Sequence, residues 1–132
     1  KGVKPIIAHP ERNQVIARNV DKLSELVSMG ALVQVNSLSF YGVFGSNAKK
    51  TAEKIVRKGL AQFIATDCHT PRARSPRFQK LYKKFSPRLI DIMMRQNPEK
   101  LMTGREIEVS PEGYKKAAKM NIFRKIAFYF GY

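Results

Sequence analysis

Both histidines of this chain stand beside other groups that could bind a metal ion. His9 follows a short apolar run, and His69 follows another as the last residue of Asp67-Cys68-His69. A carboxylate and neutral imidazoles together suit manganese, iron or zinc better than calcium or magnesium. Each motif alone is weak, because a histidine in a loop is more often a hydrogen-bonded structural residue than a ligand. Together, His9, Asp67 and His69 form a candidate set of metal ligands.

Two arginines follow these candidate ligands closely. Arg12 lies three residues after His9, and Arg74 lies five residues after His69. A guanidinium group is planar, permanently charged and able to donate two parallel hydrogen bonds to phosphate oxygens. Metal ligands and phosphate-binding cations on one rim of a fold would make a site for the hydrolysis of phosphate esters.

The single cysteine offers a different chemistry, a covalent phosphocysteine mechanism. Cys68 and Arg74 have the spacing of the Cys-x5-Arg signature of phosphocysteine phosphatases. The residues between them include no glycine, so the loop lacks the freedom that lets successive backbone amides surround a phosphate. The flanking Asp67 and His69 favour a metal, and Cys68 is not expected to be a nucleophile.

Alternating strands and helices are expected to bring the candidate residues to one edge of a sheet. The predicted strands are residues 3–8, 31–35 and 60–65. The predicted helices between them are residues 21–29, capped by Asn19 or Asp21, and 48–58, with a loop at 36–46. Two successive strand-helix-strand units indicate a parallel sheet, whose functional residues gather beyond the carboxyl ends of the strands.

The rest of the chain is predicted to be helical. Short helices are expected at residues 78–85, 87–95 and 98–102, followed by a basic amphipathic helix at 111–130. We therefore divide the chain into an α/β domain, residues 1–105, and a basic helical tail, residues 106–132. The tail is expected to cover core or to dock on a partner rather than to lie on an anionic membrane.

The composition is that of an ordinary globular chain apart from its charge. The chain has 132 residues, enough for one domain, and no apolar run near the roughly 18 residues of a membrane helix. One cysteine excludes an internal disulfide and fits a reducing, cytoplasmic compartment. The net charge of +15 attracts phosphate on nucleic acid, protein or membrane alike. Because the chain opens without methionine on a strand of interior type, we expect it to be a fragment.

Five blocks of the sequence resemble one known family, in the same order. They are Ala8-His9-Pro10-Glu11-Arg12, residues 30–36 with 42–45, residues 59–69, Arg74 with Pro76, and residues 97–104. The ordered set is similar to the C-terminal part of the PHP-superfamily manganese-dependent tyrosine-protein phosphatases of bacterial capsule and exopolysaccharide operons. The resemblance covers roughly residues 1–105, so the α/β domain is identified as a partial PHP phosphoesterase domain.

The resemblance implies a fold, a cofactor and a role for each candidate residue. The implied fold is the C-terminal part of a distorted (β/α)7 PHP barrel, of the α/β class. His9, Asp67 and His69 would bind metal, and Arg12 and Arg74 would bind the substrate phosphate. The implied cofactor is Mn²⁺, with iron or zinc as alternatives, in a di- or trinuclear centre of the complete domain that activates water as the nucleophile.

The expected function is hydrolysis of phosphotyrosine on a protein, with a bacterial tyrosine autokinase of polysaccharide export as the partner. The alternatives are a PHP phosphatase for a small ester such as histidinol phosphate, and a non-catalytic module that binds anions or nucleic acid. Specific nucleic-acid binding is not expected, because stacking aromatics do not alternate with the basic residues. The family's N-terminal ligands, including a His-x-His pair, are missing, so this chain alone is expected to be inactive. Its open sheet edge is expected to favour self-association.

Overall fold

A three-stranded parallel sheet forms the centre of the computed structural model, which describes residues 3–69 and 77–109. The strands lie in the order in which the chain forms them: β1 Ile6–Ala8, β2 Leu32–Asn36 and β3 Phe63–Ala65. In the register, Ile7 lies opposite Val33, and each strand is paired with its neighbour in the same direction. The prediction of two strand-helix-strand units is confirmed, although β1 and β3 are shorter than predicted.

The two crossovers each contain a helix of the predicted kind. The helices of this part of the chain are α1 Gln14–Arg18, α2 Asp21–Ser28 and α3 Gly45–Arg57. Helix α2 corresponds to the predicted helix 21–29, and α3 to the predicted helix 48–58, which begins three residues earlier than expected. Helix α3 turns Ala52 and Ile55 into the core and leaves Lys54 exposed, as its amphipathic pattern predicts.

Short helical turns that the sequence did not predict follow the first two strands. A 3₁₀ turn at Pro10–Arg12 and helix α1 follow β1, and a second 3₁₀ turn at Ser37–Tyr41 follows β2. The predicted loop at 36–46 is therefore wrong over most of its length. The cause is local capping, because the side chain of Asn36 accepts a hydrogen bond from the backbone N–H of Leu38 at 3.0 Å.

The second half of the described chain is helical, as predicted, but with fewer breaks between helices than expected. Its elements are α4 Gln79–Lys84, α5 Pro87–Asp91, a π turn Ile92–Gln96 and α6 Asn97–Met102. The helices predicted at 87–95 and 98–102 run together through the π turn. In that turn the N–H of Asn97 bonds to the carbonyl of Ile92, five residues back. Pro98 has no N–H to continue the ordinary ladder, which gives a physical reason for the wider turn.

The core lies between the sheet and the helices that pack on it. All of its central side chains are buried: Leu23, Val27, Val33, Val35, Phe40, Ile55, Ile64, Leu81, Phe85, Leu89 and Met93. Phe40 and Phe85 meet edge to face with ring centroids 5.5 Å apart, which joins the turn after β2 to helix α4. Fully burying one such side chain stabilises the fold by about 1.5–3 kcal/mol. The core therefore holds the turn after β2 in a defined position at the end of the sheet.

The region predicted as the tail begins within the described chain. Ile107 is buried in a small second cluster with Leu32 and Phe63, and Lys4 forms an ion pair with Glu106 at 3.2 Å. The helix predicted at 111–130 lies outside the described residues. Within the described ranges, no helix has the length and apolar character that a membrane span requires.

Candidate active site

The carboxyl edge of the sheet carries the candidate residues from two different strands. His9 follows the end of β1, and its backbone N–H donates to the carbonyl of Gln34 at 2.8 Å, which extends the pairing with β2. Asp67 and His69 follow the end of β3. Because β2 lies between these two strands, its last residue, Asn36, lies between the two loops.

Both loops begin with a sharp change of backbone direction. His9 has a φ of 40° and Asp67 a φ of 49°, the two non-glycine residues of the described chain with positive φ. The left-handed region is uncommon for residues with a side chain, although asparagine, aspartate and histidine enter it most readily. Left-handed, strained backbone of this kind is frequent at functional sites.

Asp67 is the centre of the polar contacts at this edge. Its Oδ2 accepts a hydrogen bond from Nδ2 of Asn36 at 3.0 Å, and the nearest guanidinium nitrogen of Arg12 lies 4.0 Å from the same oxygen. The structure thus brings Arg12, in the loop after β1 (the first loop), close to Asp67, in the loop after β3 (the third loop), as the sequence predicted for residues on a common rim. Asp67 is partly buried, with 24% of its side chain exposed, so these contacts are only partly screened by water.

His69 is oriented by the backbone of Asp67. Its Nδ1 lies 2.7 Å from the carbonyl oxygen of Asp67 and 3.6 Å from the Oδ1 of that residue. A carbonyl oxygen can only accept, so the shorter contact requires a proton on Nδ1. In the neutral ring the lone pair is then on Nε2, the nitrogen that a metal would bind, and this is the arrangement usual in metal-ligating histidines.

Arg12 is held between a carboxylate and an aromatic ring. Its guanidinium carbon lies 4.4 Å from the centre of the Phe44 ring, at the start of α3. The distance of 4.0 Å to Asp67 is the outer limit of an ion pair and not that of paired hydrogen bonds. About a third of the side chain is exposed, so Arg12 is positioned to donate to an anion that reaches this edge.

A buried carboxylate lies behind the site and was not singled out from the sequence. Oε1 of Glu11 accepts hydrogen bonds from the backbone N–H of Asn36 at 3.0 Å and from the hydroxyl of Ser39 at 2.6 Å. Burial raises the pKa of Glu11, and the bonds from Ser39 and Asn36 and the nearby His9 oppose that shift. The signal in the sequence was its place between His9 and Arg12, yet its partners come from β2 and the turn after it.

The predicted metal ligands are of a suitable kind but do not form a complete site here. Among residues 3–69 and 77–109, no three histidine, cysteine, aspartate or glutamate side chains are grouped closely enough to hold a metal ion. An imidazole with a defined tautomer beside a carboxylate nevertheless fits a transition metal by its donor chemistry. Arg74 lies outside the described residues. The assignment of metal ligands and of a second phosphate-binding arginine therefore stays a prediction.

Two cavities are lined in part by residues of the loop after β1. One of about 890 Å³ lies beside His9 and is lined mainly by apolar residues of β1, α1 and α2. Another of about 750 Å³ lies between α1 and the first turns of α3, and Arg12, Arg18, Phe44 and Lys50 are among its lining residues. The second cavity therefore continues the positive charge of Arg12 into a concave surface.

Comparison with known proteins gives a consistent result over most of the chain. The family model described as capsular polysaccharide synthesis, CpsB/CapC, matches residues 1–103. The tyrosine-protein phosphatase YwqE of Bacillus subtilis is 36% identical over 124 residues, which are 91% of this chain and 48% of YwqE. The tyrosine-protein phosphatase CpsB of Streptococcus pneumoniae is 30% identical over 110 residues, 76% of this chain and 45% of CpsB.

A solved structure resembles this fold as well. It comes from the pair YwqE of Bacillus subtilis and CpsB of Streptococcus pneumoniae, described as unique metal-dependent tyrosine phosphatases. It aligns with a TM-score of 0.72 and 34% identity, over 83% of this chain and 46% of that chain. This chain spans about half the length of the two relatives and of the solved structure that it matches.

Proposed function

The chain belongs to the CpsB/CapC family of capsular polysaccharide synthesis, and from that premise we propose that it supplies part of the active site of a metal-dependent protein-tyrosine phosphatase. The observation that supports this function most is the meeting of Arg12, Asp67 and His69 at the carboxyl edge of the sheet. A phosphate-binding cation beside a carboxylate and an oriented imidazole is the combination that metal-assisted hydrolysis of phosphate esters requires.

The phosphate of the substrate is bound by Arg12 and Arg74 in this proposal. Arg12 donates to the phosphate oxygens from a position fixed by Phe44 on one side and Asp67 on the other. Its charge stabilises the negative charge that builds up as the phosphorus is attacked, at a site partly shielded from water. Arg74 is assigned the same role by its match to the family's motif.

In this proposal His9, Asp67 and His69 would hold the metal, with manganese favoured and iron or zinc as the alternatives. Such a centre would supply Lewis-acid stabilisation of the phosphate and activation of a water molecule. The hydrogen bond from Asn36 orients Asp67, and the contact with the Asp67 carbonyl orients His69. A di- or trinuclear centre needs further donors beyond the described residues.

The fold of the whole domain is proposed to be the distorted (β/α)7 barrel of the PHP superfamily. Three consecutive parallel strands, with the site at their carboxyl ends, are the arrangement expected for one arc of such a barrel. The outer strand β1 supports this reading, since its Ile6 is 41% exposed although it lies in a sheet strand. The central strand β2 is almost wholly buried.

The proposed substrate is a phosphotyrosine-bearing protein, with a bacterial tyrosine autokinase of polysaccharide export as the partner and the cytoplasm as the compartment. The named activity of the relatives YwqE and CpsB supports a phosphotyrosine substrate. The cavity of about 750 Å³ beside Arg12 offers a concave, basic surface for the residues that flank the phosphotyrosine.

The test is a phosphatase assay on what we term the joined protein, this chain fused to the region of Bacillus subtilis YwqE that it does not match. Mn²⁺ should raise the hydrolysis of p-nitrophenyl phosphate and of a phosphotyrosine peptide strongly, and EDTA should abolish it. Asp67→Asn should lower turnover by several orders of magnitude, whereas Cys68→Ser should leave it nearly unchanged. Full activity in EDTA, or a preference for histidinol phosphate over the peptide, would reject the proposal.

A further inference from the structure

Asn36 connects the two loops that carry the candidate site. It is the last residue of β2, and it is completely buried. Its backbone N–H donates to Glu11 of the first loop, and its side-chain Nδ2 donates to Asp67 of the third loop, each at 3.0 Å. A single residue of the central strand is thus bonded to both neighbouring loops.

The orientation of the Asn36 amide is determined by a third bond. Its Oδ1 accepts from the backbone N–H of Leu38 at 3.0 Å, at the start of the 3₁₀ turn. The amide oxygen is therefore committed to Leu38, and the NH₂ group must be the end that faces Asp67. A buried donor on a rigid strand end restricts the carboxylate more narrowly than a surface side chain would, because it has few other rotamers.

From these contacts we infer that Asn36 is a positioning residue, which holds the Asp67 carboxylate at the distance from Arg12 and His69 that the site needs. The Asp67 oxygen that accepts from Asn36 at 3.0 Å is also the oxygen that lies 4.0 Å from Arg12, so the amide and the arginine both face one carboxylate oxygen. This inference rests on the proposed function for its catalytic consequence. The hydrogen bond itself can be tested without any activity.

The substitution that isolates the amide is Asn36→Ser. A serine can still accept from the N–H of Leu38, since serine is a good cap, but its hydroxyl is too short to reach Asp67. Outer-sphere partners of metal ligands typically contribute 10–100-fold to metal affinity or activity. We therefore expect Asn36→Ser to weaken Mn²⁺ binding and to lower kcat of the joined protein by about tenfold or more, with KM for p-nitrophenyl phosphate nearly unchanged.

The matched control is Asn19→Ser, which makes the same chemical change at the start of α2. Asn19 also accepts a backbone hydrogen bond, from Asp21 at 3.0 Å, and it is exposed. This control should match the unsubstituted protein in Mn²⁺ affinity, measured by electron paramagnetic resonance, and in kcat. If Asn36→Ser also matches it in both, Asn36 is not a positioning residue.

A second experiment tests the bond in the 132-residue chain alone, by urea unfolding in EDTA. Asn36→Asp should lower the urea midpoint, because it places a carboxylate against Asp67 while keeping the cap of Leu38. The exchanged pair Asn36→Asp with Asp67→Asn should recover part of the lost midpoint, because the donor and the acceptor have changed places while the carboxylate is now more deeply buried. A double variant no more stable than Asn36→Asp would overturn the inference.

The two experiments separate failure of this inference from failure of the proposed function. A joined protein without any phosphatase activity or Mn²⁺ binding would reject the proposed function, and the exchanged pair would still decide whether Asn36 holds Asp67. An active joined protein in which Asn36→Ser has normal kcat and metal affinity would reject the inference alone.

Discussion

Glu11 is the residue whose protonation should be visible in the stability of the fold. Burial raises its pKa above that of an ordinary glutamate. As pH rises from the unfolded pKa to the folded one, the unfolded chain loses a proton that the folded chain keeps. The free energy of unfolding should therefore fall with pH in that window, by at most about 1.4 kcal/mol per pH unit. At pH values above this window, the free energy of unfolding stays lower than it is below the window.

The variant Glu11→Gln should lack this slope. A glutamine can keep the two accepted hydrogen bonds, because Asn36 and Ser39 both donate to the same oxygen, Oε1. Urea unfolding between pH 4 and 8, in EDTA, measures the effect as a difference between variant and unsubstituted chain that grows with pH. Asp21 and Asp91, whose pKa values are lowered by their ion pairs with Lys58 and Arg95, contribute equally to both proteins and therefore cancel in this difference. Parallel curves for the two proteins would contradict the assignment.

Arg12 should affect turnover without affecting metal content. Arg12→Ala removes charge-assisted hydrogen bonds to phosphate, which contribute about 1.5–3 kcal/mol, and should lower kcat/KM of the joined protein roughly ten- to hundredfold. Arg57→Ala removes an equal charge from an exposed position on α3 and should be nearly silent. Manganese content, measured by elemental analysis, should stay the same in both. Loss of metal in Arg12→Ala would show that its role was wrongly assigned.

The sequence proposed candidates for contact with the substrate and the metal, but not the residues that support them. His9, Arg12, Asp67 and His69 could be proposed because their residue types and their places after strands both indicate chemistry, and their roles stay predictions. Glu11, Asn36 and Ser39 could not, since their roles depend on neighbours that the fold brings from the next strand. A buried hydrogen bond between distant residues leaves no periodic signal in the chain.

Gln62, the residue before β3, forms two hydrogen bonds with Val33 of β2, whereas two residues on neighbouring parallel strands ordinarily share one. Its backbone N–H donates to the carbonyl of Val33 at 2.9 Å, and its side-chain Oε1 accepts from the N–H of Val33 at 2.8 Å. Gln62→Leu would leave that buried N–H without an acceptor and should lower the free energy of unfolding by about 1–3 kcal/mol. Gln14→Leu, at an exposed position, should change it by less than about 0.5 kcal/mol. Equal effects of the two would contradict the role of Gln62.

The elements with strong apolar patterns were predictable, and the short ones were not. Strands β1, β2 and β3 and helices α2 and α3 appear within a few residues of their predicted limits, because their apolar side chains are buried in one core. The 3₁₀ turns and α1 have no such pattern. Helix α1 and the turn after β2 begin where the side chains of Asn13 and Asn36 accept backbone hydrogen bonds, whereas the turn at Pro10–Arg12 has no side-chain cap. The continuity of α5 with α6 was missed because a proline usually ends a helix.

At the scale of the whole molecule, the 132-residue chain should be nearly inactive while the joined protein is active. The described residues do not group three metal-binding side chains, and an ion with too few ligands does not recover the cost of its own desolvation. The measurement is Mn²⁺ binding and phosphatase turnover of the two proteins side by side. The joined protein carrying Asp67→Asn serves as the control for activity that arises elsewhere. Comparable turnover of the chain alone would show that it contains a sufficient site.

The positive φ of Asp67 means that the residue at this position is constrained twice, by its carboxylate and by its backbone. A side chain that enters the left-handed region poorly costs roughly 1–2 kcal/mol there, whereas asparagine and glycine cost little. In a saturation survey scored by cellular abundance, asparagine and glycine at position 67 should therefore rank above alanine and valine. Scored by phosphatase activity, all four should fall together. The difference between the ranking by abundance and the ranking by activity would separate the effect of position 67 on folding from its effect on catalysis. An alanine substitution alone would change both at once.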